Sequence, residues 1–231
     1  MSMAPFAPFH VLLLMSSFVV TSGEVARVSV RGSMRAIHKE GRASAVATLD
    51  TLQRPGVFAI GPVANLQGEF VVWDGSVHVS RRSADTVVNS TSPLVDAALL
   101  VQTEATVWTP ILTTSRGMNL VELAEELRSK GLTRPRSFLR FETRADTIDW
   151  HVIHWPHGEP IKAGDHQRYA LRGKDVETTV RITGVVDEDG AGVVTHHNSP
   201  LHLHGVFLDG RAVHIDGLVI PAGTVILRAD S

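Results

Sequence analysis

The sequence predicts an α+β fold of two β-rich subdomains with few helices. Runs rich in strand formers recur on both sides of a single well-capped amphipathic segment, with turn residues between them. The chain has 231 residues, 43% hydrophobic and 20% charged, which is enough for a sizeable core. The expected organisation is a leader at 1–23, an N-terminal α+β subdomain at 24–135 and a C-terminal β-rich subdomain at 136–231.

The first segment is apolar from Val11 to Val20 and ends in Thr21-Ser22-Gly23. It resembles the core of a signal peptide and is too short to span a bilayer, although the first arginine is Arg27 and no basic run precedes the apolar stretch. Cleavage would make the protein secreted or periplasmic; otherwise the chain is expected in the cytoplasm. Val28 to Leu52 reads as mixed and mostly helical, with Met34, Ile37, Val46 and Leu49 available for a core. Strand formers follow in Val57–Ile60 and Glu69–Trp73, then Asp74-Gly75 and Ser76–Val79; Asp-Gly between two such runs signals a hairpin. Ala97–Val101 and Ala105–Thr113 are further strands.

One helix is expected after Asn119. That residue can cap it, Glu122 completes a capping box, and Leu120, Leu123, Ala124 and Leu127 form one stripe. Gly131 supplies a left-handed end and Pro135 prevents continuation. From Ser137 the expected strands are Phe138–Phe141, Trp150–Trp155, Val176–Val186, Leu201–Phe207, Ala212–Ile215 and Leu218–Leu227.

Net charge is −2 and no basic run is present, so a nucleic-acid partner is not expected. Nor is a membrane, once the leader is removed. The chain has no cysteine, which excludes disulfides, thiolate metal sites and a cysteine nucleophile. Any metal must sit on histidines and carboxylates. Of 12 histidines, nine lie between His151 and His214.

In a strand, residues two apart share a face, so His202 and His204 can present two imidazoles to one ion. Asp209-Gly210 marks a turn, and His214 lies on the returning strand. Three such imidazoles match the open, catalytic type of zinc site. Register decides whether they meet. A two-residue Asp209-Gly210 turn would place Gly205 opposite His214, on the wrong face. A three-residue loop over Asp209-Gly210-Arg211 would pair Val206 with His214 and restore the shared face. An odd-length loop is therefore expected. His-x-His also arises by chance in a histidine-rich chain, and isolated histidines are mostly surface or hydrogen-bonded core residues. His151, His154 and His197 are candidates to stand behind the ligands, although His151 and His154 face opposite ways in a strand. Glu69 begins a very apolar strand, where a charge needs either a partner or solvent.

The run Gly56-Val-Phe-Ala-Ile-Gly61, then Asn65-Leu-Gln-Gly-Glu69 and Asp74-Gly75, resembles the N-terminal half of the acetolactate decarboxylases. Thr109-Pro110 and the Leu201-His202-Leu203-His204 strand with His214 also look like that family, in order, from about Val28 to Val225. The resemblance implies a mixed sheet plus an antiparallel, barrel-like sheet. It implies a zinc-dependent lyase that decarboxylates 2-acetolactate, or a related 2-hydroxy-3-keto acid, to acetoin and carbon dioxide. His202, His204 and His214 would hold the metal and Glu69 would deliver the proton. A homodimer is also expected.

Three positions depart from the family pattern. Ile153 stands where the family has a substrate-anchoring arginine, the family's tail glutamate has no counterpart in this sequence, and the loop between His204 and His214 is one residue shorter. These departures keep two alternatives open: a divergent metal-dependent enzyme of this fold with another small oxygenated substrate, or a non-catalytic metal- or ligand-binding protein.

Overall fold

The computed structural model describes residues 23–231 apart from 163–164, 166–167 and 196–198. The expected leader, except Gly23, and His197 thus lie outside the described residues. The first part of the chain forms β1 (Val28–Arg31), α1 (Met34–Glu40), β2 (Ala47–Thr48), β3 (Val57–Pro62), β4 (Glu69–Trp73), β5 (Ser76–Ser83), β6 (Thr86–Ser90), β7 (Asp96–Ala97) and β8 (Leu100–Glu104). There follow β9 (Val107–Thr113), β10 (Met118–Asn119), α2 (Leu120–Ser129), β11 (Ser137–Val152), β12 (Leu171–Val186), β13 (Leu201–Phe207), β14 (Ala212–Ile220) and β15 (Val225–Asp230).

One sheet runs β1-β8-β3-β4-β5-β6 and a second β10-β14-β13-β12-β11-β15-β9, while β2 and β7 form a small ribbon. In the second sheet β14 also pairs with β11, so β11, β12, β13 and β14 close on themselves. This is the expected barrel-like sheet, and it takes in β9 and β10 from before residue 136. The first sheet is antiparallel throughout, where a mixed sheet was expected. A parallel neighbour needs a long crossover, and here β3 to β6 follow one another through short turns.

Local chemistry explains most elements. Asp74 and Gly75 both have positive φ, 49° and 77°, which matches the twist of the β4–β5 hairpin. A side chain at Gly75 would meet the Arg54 carbonyl at 2.5 Å. In α2, Asn119 accepts from the amides of Val121 and Glu122, and Glu122 returns a bond to the Asn119 amide. The Val28–Leu52 segment is less helical than expected. Only seven residues form α1, between a Ser33 cap and a left-handed Gly41, because Val28–Arg31 is taken by pairing with β8. The two strands expected at Phe138–Phe141 and Trp150–Trp155 are one 16-residue strand, β11, whose polar middle hid its continuity. It ends at Val152, before Trp155.

Phe58 and Ile60 of the first sheet pack with Phe138 and Val185 of the second in a shared core. At the far end, Ser80 of β5 accepts from the Ala212 amide at 2.7 Å, and Asn89 donates to the Asp209 carbonyl at 3.2 Å. No helix among the described residues is long and apolar enough to cross a membrane.

Gly184 of β12 pairs with Leu203 of β13. A Cβ there would lie 2.1 Å from the His202 carbonyl oxygen, so only glycine lets the His-x-His strand approach this closely. Gly184→Ala is expected to cost about 1–3 kcal/mol of stability. Thermal unfolding would register about 2–4 °C for each kcal/mol in a chain of this size.

Candidate metal centre

The β13–β14 connection decides whether the histidines meet. Phe207 donates to the Arg211 carbonyl and Gly210 to that of Phe207, leaving a three-residue loop, Leu208-Asp209-Gly210. The odd length is as expected, but the loop sits one residue earlier. His214 therefore pairs with His204 rather than with Val206. Parity is the same in both registers, so His202, His204 and His214 share a face. Across the barrel closure His214 in turn pairs with His151. An in-register row thus runs His204, His214, His151.

The three ring pairs among His202, His204 and His214 have centroids 5.0–5.2 Å apart, and each ring offers a nitrogen within 4.8 Å of the others. His202 Nε2 and His204 Nε2 are 3.1 Å apart. Nitrogens on one tetrahedral zinc at about 2.0–2.1 Å stand roughly 3.3 Å from each other. His202 Nδ1 donates to the Val194 carbonyl at 2.7 Å, which fixes its hydrogen there and leaves the Nε2 lone pair for a ligand bond. Burial holds His204 well below the usual imidazole range, reinforced by His202, His214 and His151 and only partly opposed by the Phe70 carbonyl. A neutral ring is the form that binds a metal. The triad has the donor set for a divalent ion.

Glu69 faces this cluster from the start of β4. It is 2% exposed, and its Oε1 accepts from the Ile153 amide at 3.3 Å. His151 Nε2 is 3.9 Å from Oε1, and His204 Nδ1 is 3.9 Å from Oε2. Among the described residues, Glu69 Oε2 and His204 Nδ1 are buried without a hydrogen bond of ordinary geometry, polar atoms that a ligand in the cavity would satisfy. Burial pushes the Glu69 carboxyl well above its usual range; the Ile153 amide opposes this, and the charge on Asp216 adds to it. The result is an acid held neutral by burial beside the neutral His204 ring.

The cavity bounded by these groups measures about 30 Å³, with Met34, Ile37, Leu66, Leu99 and Ile153 as its apolar wall. That is room for about one or two waters. Leu66 projects into it from an unusual backbone, with φ 54° after Asn65 at φ 57°. On the other side, His202 and His214 also line a surface groove of about 250 Å³.

The structure gathers Glu69, His151, His202, His204 and His214 at one cavity; His154, past the end of β11, does not line it. Sequence reasoning overlooked Asp216. Its carboxylate receives His151 Nδ1 at 2.8 and 2.9 Å and Arg172 Nη1 at 2.8 Å, and lies 3.4 Å from His214 Nδ1. Burial raises its pKa, but hydrogen bonds from both histidines outweigh this and hold it below the usual range. The signal available was its two-residue spacing from His214.

No family model matches the sequence, and no curated protein does. Solved structures do. The alpha-acetolactate decarboxylase from Bacillus subtilis strain 168 is similar with a TM-score of 0.72 and 16% identity, over 88% of this chain and 86% of that one. The chain has the acetolactate-decarboxylase fold. The acetolactate decarboxylase from Bacillus subtilis subspecies spizizenii agrees equally well, at TM-score 0.72 and 17% identity over 88% and 86% of the two chains. A Staphylococcus aureus protein of unknown function, described as similar to alpha-acetolactate decarboxylase, gives 0.66 and 12% over 87% and 84%.

The burial of Glu69 has a consequence for stability in chelator-treated protein. A carboxyl whose folded pKa is raised contributes fully below its unfolded value of 4.5 and loses that contribution as pH climbs towards the folded value. The loss amounts to about 1.4 kcal/mol per pH unit across that window. Glu69→Gln should therefore gain thermal stability relative to the parent as pH rises above 4.5. Parallel curves for the two proteins would contradict the raised pKa.

Proposed function

We propose that this chain is a divalent-metal-dependent lyase whose reaction is the zinc-dependent decarboxylation of 2-acetolactate, or a closely related 2-hydroxy-3-keto acid, to acetoin and carbon dioxide. The observation that carries this is the convergence of three buried imidazoles and a carboxyl kept protonated by burial on one cavity, in a chain with this fold. His202, His204 and His214 would hold the metal. Zinc, when bound, supplies Lewis-acid stabilisation of negative charge on the substrate's oxygens.

Glu69 has the matching role at carbon. Breaking the bond to carbon dioxide leaves an electron pair on the substrate, and the Glu69 proton takes the vacated position. The proton must be on the carboxyl beforehand, and burial keeps it there. The apolar wall limits the water beside Glu69 to about one or two molecules.

A second reading has one observation in its favour. Ile153 is an apolar part of that wall, at the position where the resembled family has arginine. A substrate carboxylate gains no charged partner there. A divergent enzyme of this fold, acting on another small oxygenated compound, fits that wall better.

Purified protein is expected to carry one metal ion per chain by elemental analysis, with the ion lost in the His202→Ala/His204→Ala double variant. Zinc-loaded protein should release acetoin from racemic 2-acetolactate. Glu69→Gln should keep its metal and lose at least about 100-fold in turnover, the usual worth of a placed acid. Full metal occupancy without acetoin release would transfer the assignment to the second reading, and unchanged metal content in the double variant would overturn the site.

A further inference from the structure

A bulge in β14 carries information about the site that the metal triad alone does not. Trp150 pairs with Ile215 and Asp149 with Gly217, so Asp216 is the extra residue with no partner across the ladder. Bulges re-aim a side chain, and this one turns the Asp216 carboxylate back along the strand towards the preceding imidazoles. One carboxylate then holds two rings, His151 by a pair of contacts at 2.8 and 2.9 Å and His214 at 3.4 Å. Arg172, paired with His151 in β12, braces it from outside at 2.8 Å.

Building on the function proposed above, we infer that Asp216 is a positioning residue that presents His151 as a fourth imidazole of the cavity, where it accepts a hydrogen bond from a substrate hydroxyl. A carboxylate can only accept, so the contact places a His151 hydrogen on Nδ1 and leaves Nε2 as the ring atom presented to the cavity. That Nε2 points to the Glu69 side of the cavity, 3.9 Å from Oε1, which is too long for a direct bond. The ring is held flat against His214, with centroids 4.5 Å apart and planes 27° from parallel. It therefore stands beside the metal ligands without having to be one. His151, His214 and Asp216 also lie close enough together to share an ion, but Arg172 already pairs with the Asp216 carboxylate from outside.

The substrate class follows. An acceptor at this point favours compounds with a hydroxyl next to the carbonyl over the deoxy ketones of the same size. The test uses the full chain loaded with cobalt, reading metal affinity by chelator competition and ligand binding from the visible cobalt band. Acetoin and butanone are the probes, differing in one hydroxyl. The parent protein should prefer acetoin. His151→Leu should retain cobalt affinity within about threefold and lose roughly tenfold of that preference, the worth of one hydrogen bond. His151→Gln, which keeps a polar atom near the Nε2 position, should restore part of it. Asp216→Asn should weaken cobalt binding about 10–100-fold as well, since it also releases His214.

An unchanged preference in His151→Leu would overturn the inference, as would a loss of cobalt in that variant as large as in Asp216→Asn. Cobalt uptake by the parent with no preference for acetoin would sink this inference and leave the metal site standing. Failure of the parent to take up cobalt would remove both.

Discussion

Pairing of β13 with β14 is the constraint on which the site depends. His202 and His204 share a face by the pleat of their own strand, but His214 joins them only if the intervening loop has an odd number of residues. Leu208-Asp209-Gly210 meets that condition. A slip of one residue would send His214 to the opposite face and dissolve the cluster. The register is held from outside the hairpin too, since β14 is hydrogen-bonded to β11 on its other side. Closing the sheet turns a pairwise choice into a ring of mutually consistent ones, and the row His204, His214, His151 is a line drawn across that ring.

Burial then sets the chemistry of what the register assembles. The same low-polarity surroundings act in opposite directions on the two kinds of group. Glu69 is driven to keep a proton and His204 to lose one, so the interior holds a neutral acid beside a neutral base. Neither group would be so disposed on a surface. Asp216, partly open to solvent and surrounded by hydrogen-bond donors, goes the other way and remains a carboxylate. Two acids a short distance apart thus differ in charge because one faces apolar side chains and the other faces His151, His214 and Arg172.

Much of this was legible in the amino-acid order. The Asp74-Gly75 hairpin, the Asn119 capping box and the bounds of β13 follow from short-range rules, whereas the parity of the β13–β14 loop followed only from requiring the three histidines to share a face. What escaped depends on distant partners. The polar residues in the middle of β11 break the apolar pattern, yet the strand continues because β12 pairs with it nearly from end to end. Val28–Arg31 has residues that suit either helix or strand, and the neighbouring β8 decides. Asp216 showed only a two-residue spacing from His214, because the bulge that aims its carboxylate is a property of two strands together. His151 and His154 were expected to face opposite ways along one strand, and the end of β11 at Val152 separates them instead.

Helix α1 has a further bearing on the cavity. Its Met34 and Ile37 form part of the apolar wall, while the amides of Met34 and Arg35 donate to the carbonyls of Val193 and Gly192 at 3.0 and 2.7 Å. The next carbonyl along, that of Val194, is the one that fixes the His202 ring. Roof and ligand are therefore tied to a single stretch of backbone. Any displacement of α1 would be felt at the turn that orients His202. Packing of the apolar wall and orientation of the His202 ring thus share one backbone support, and whatever steadies the one would steady the other.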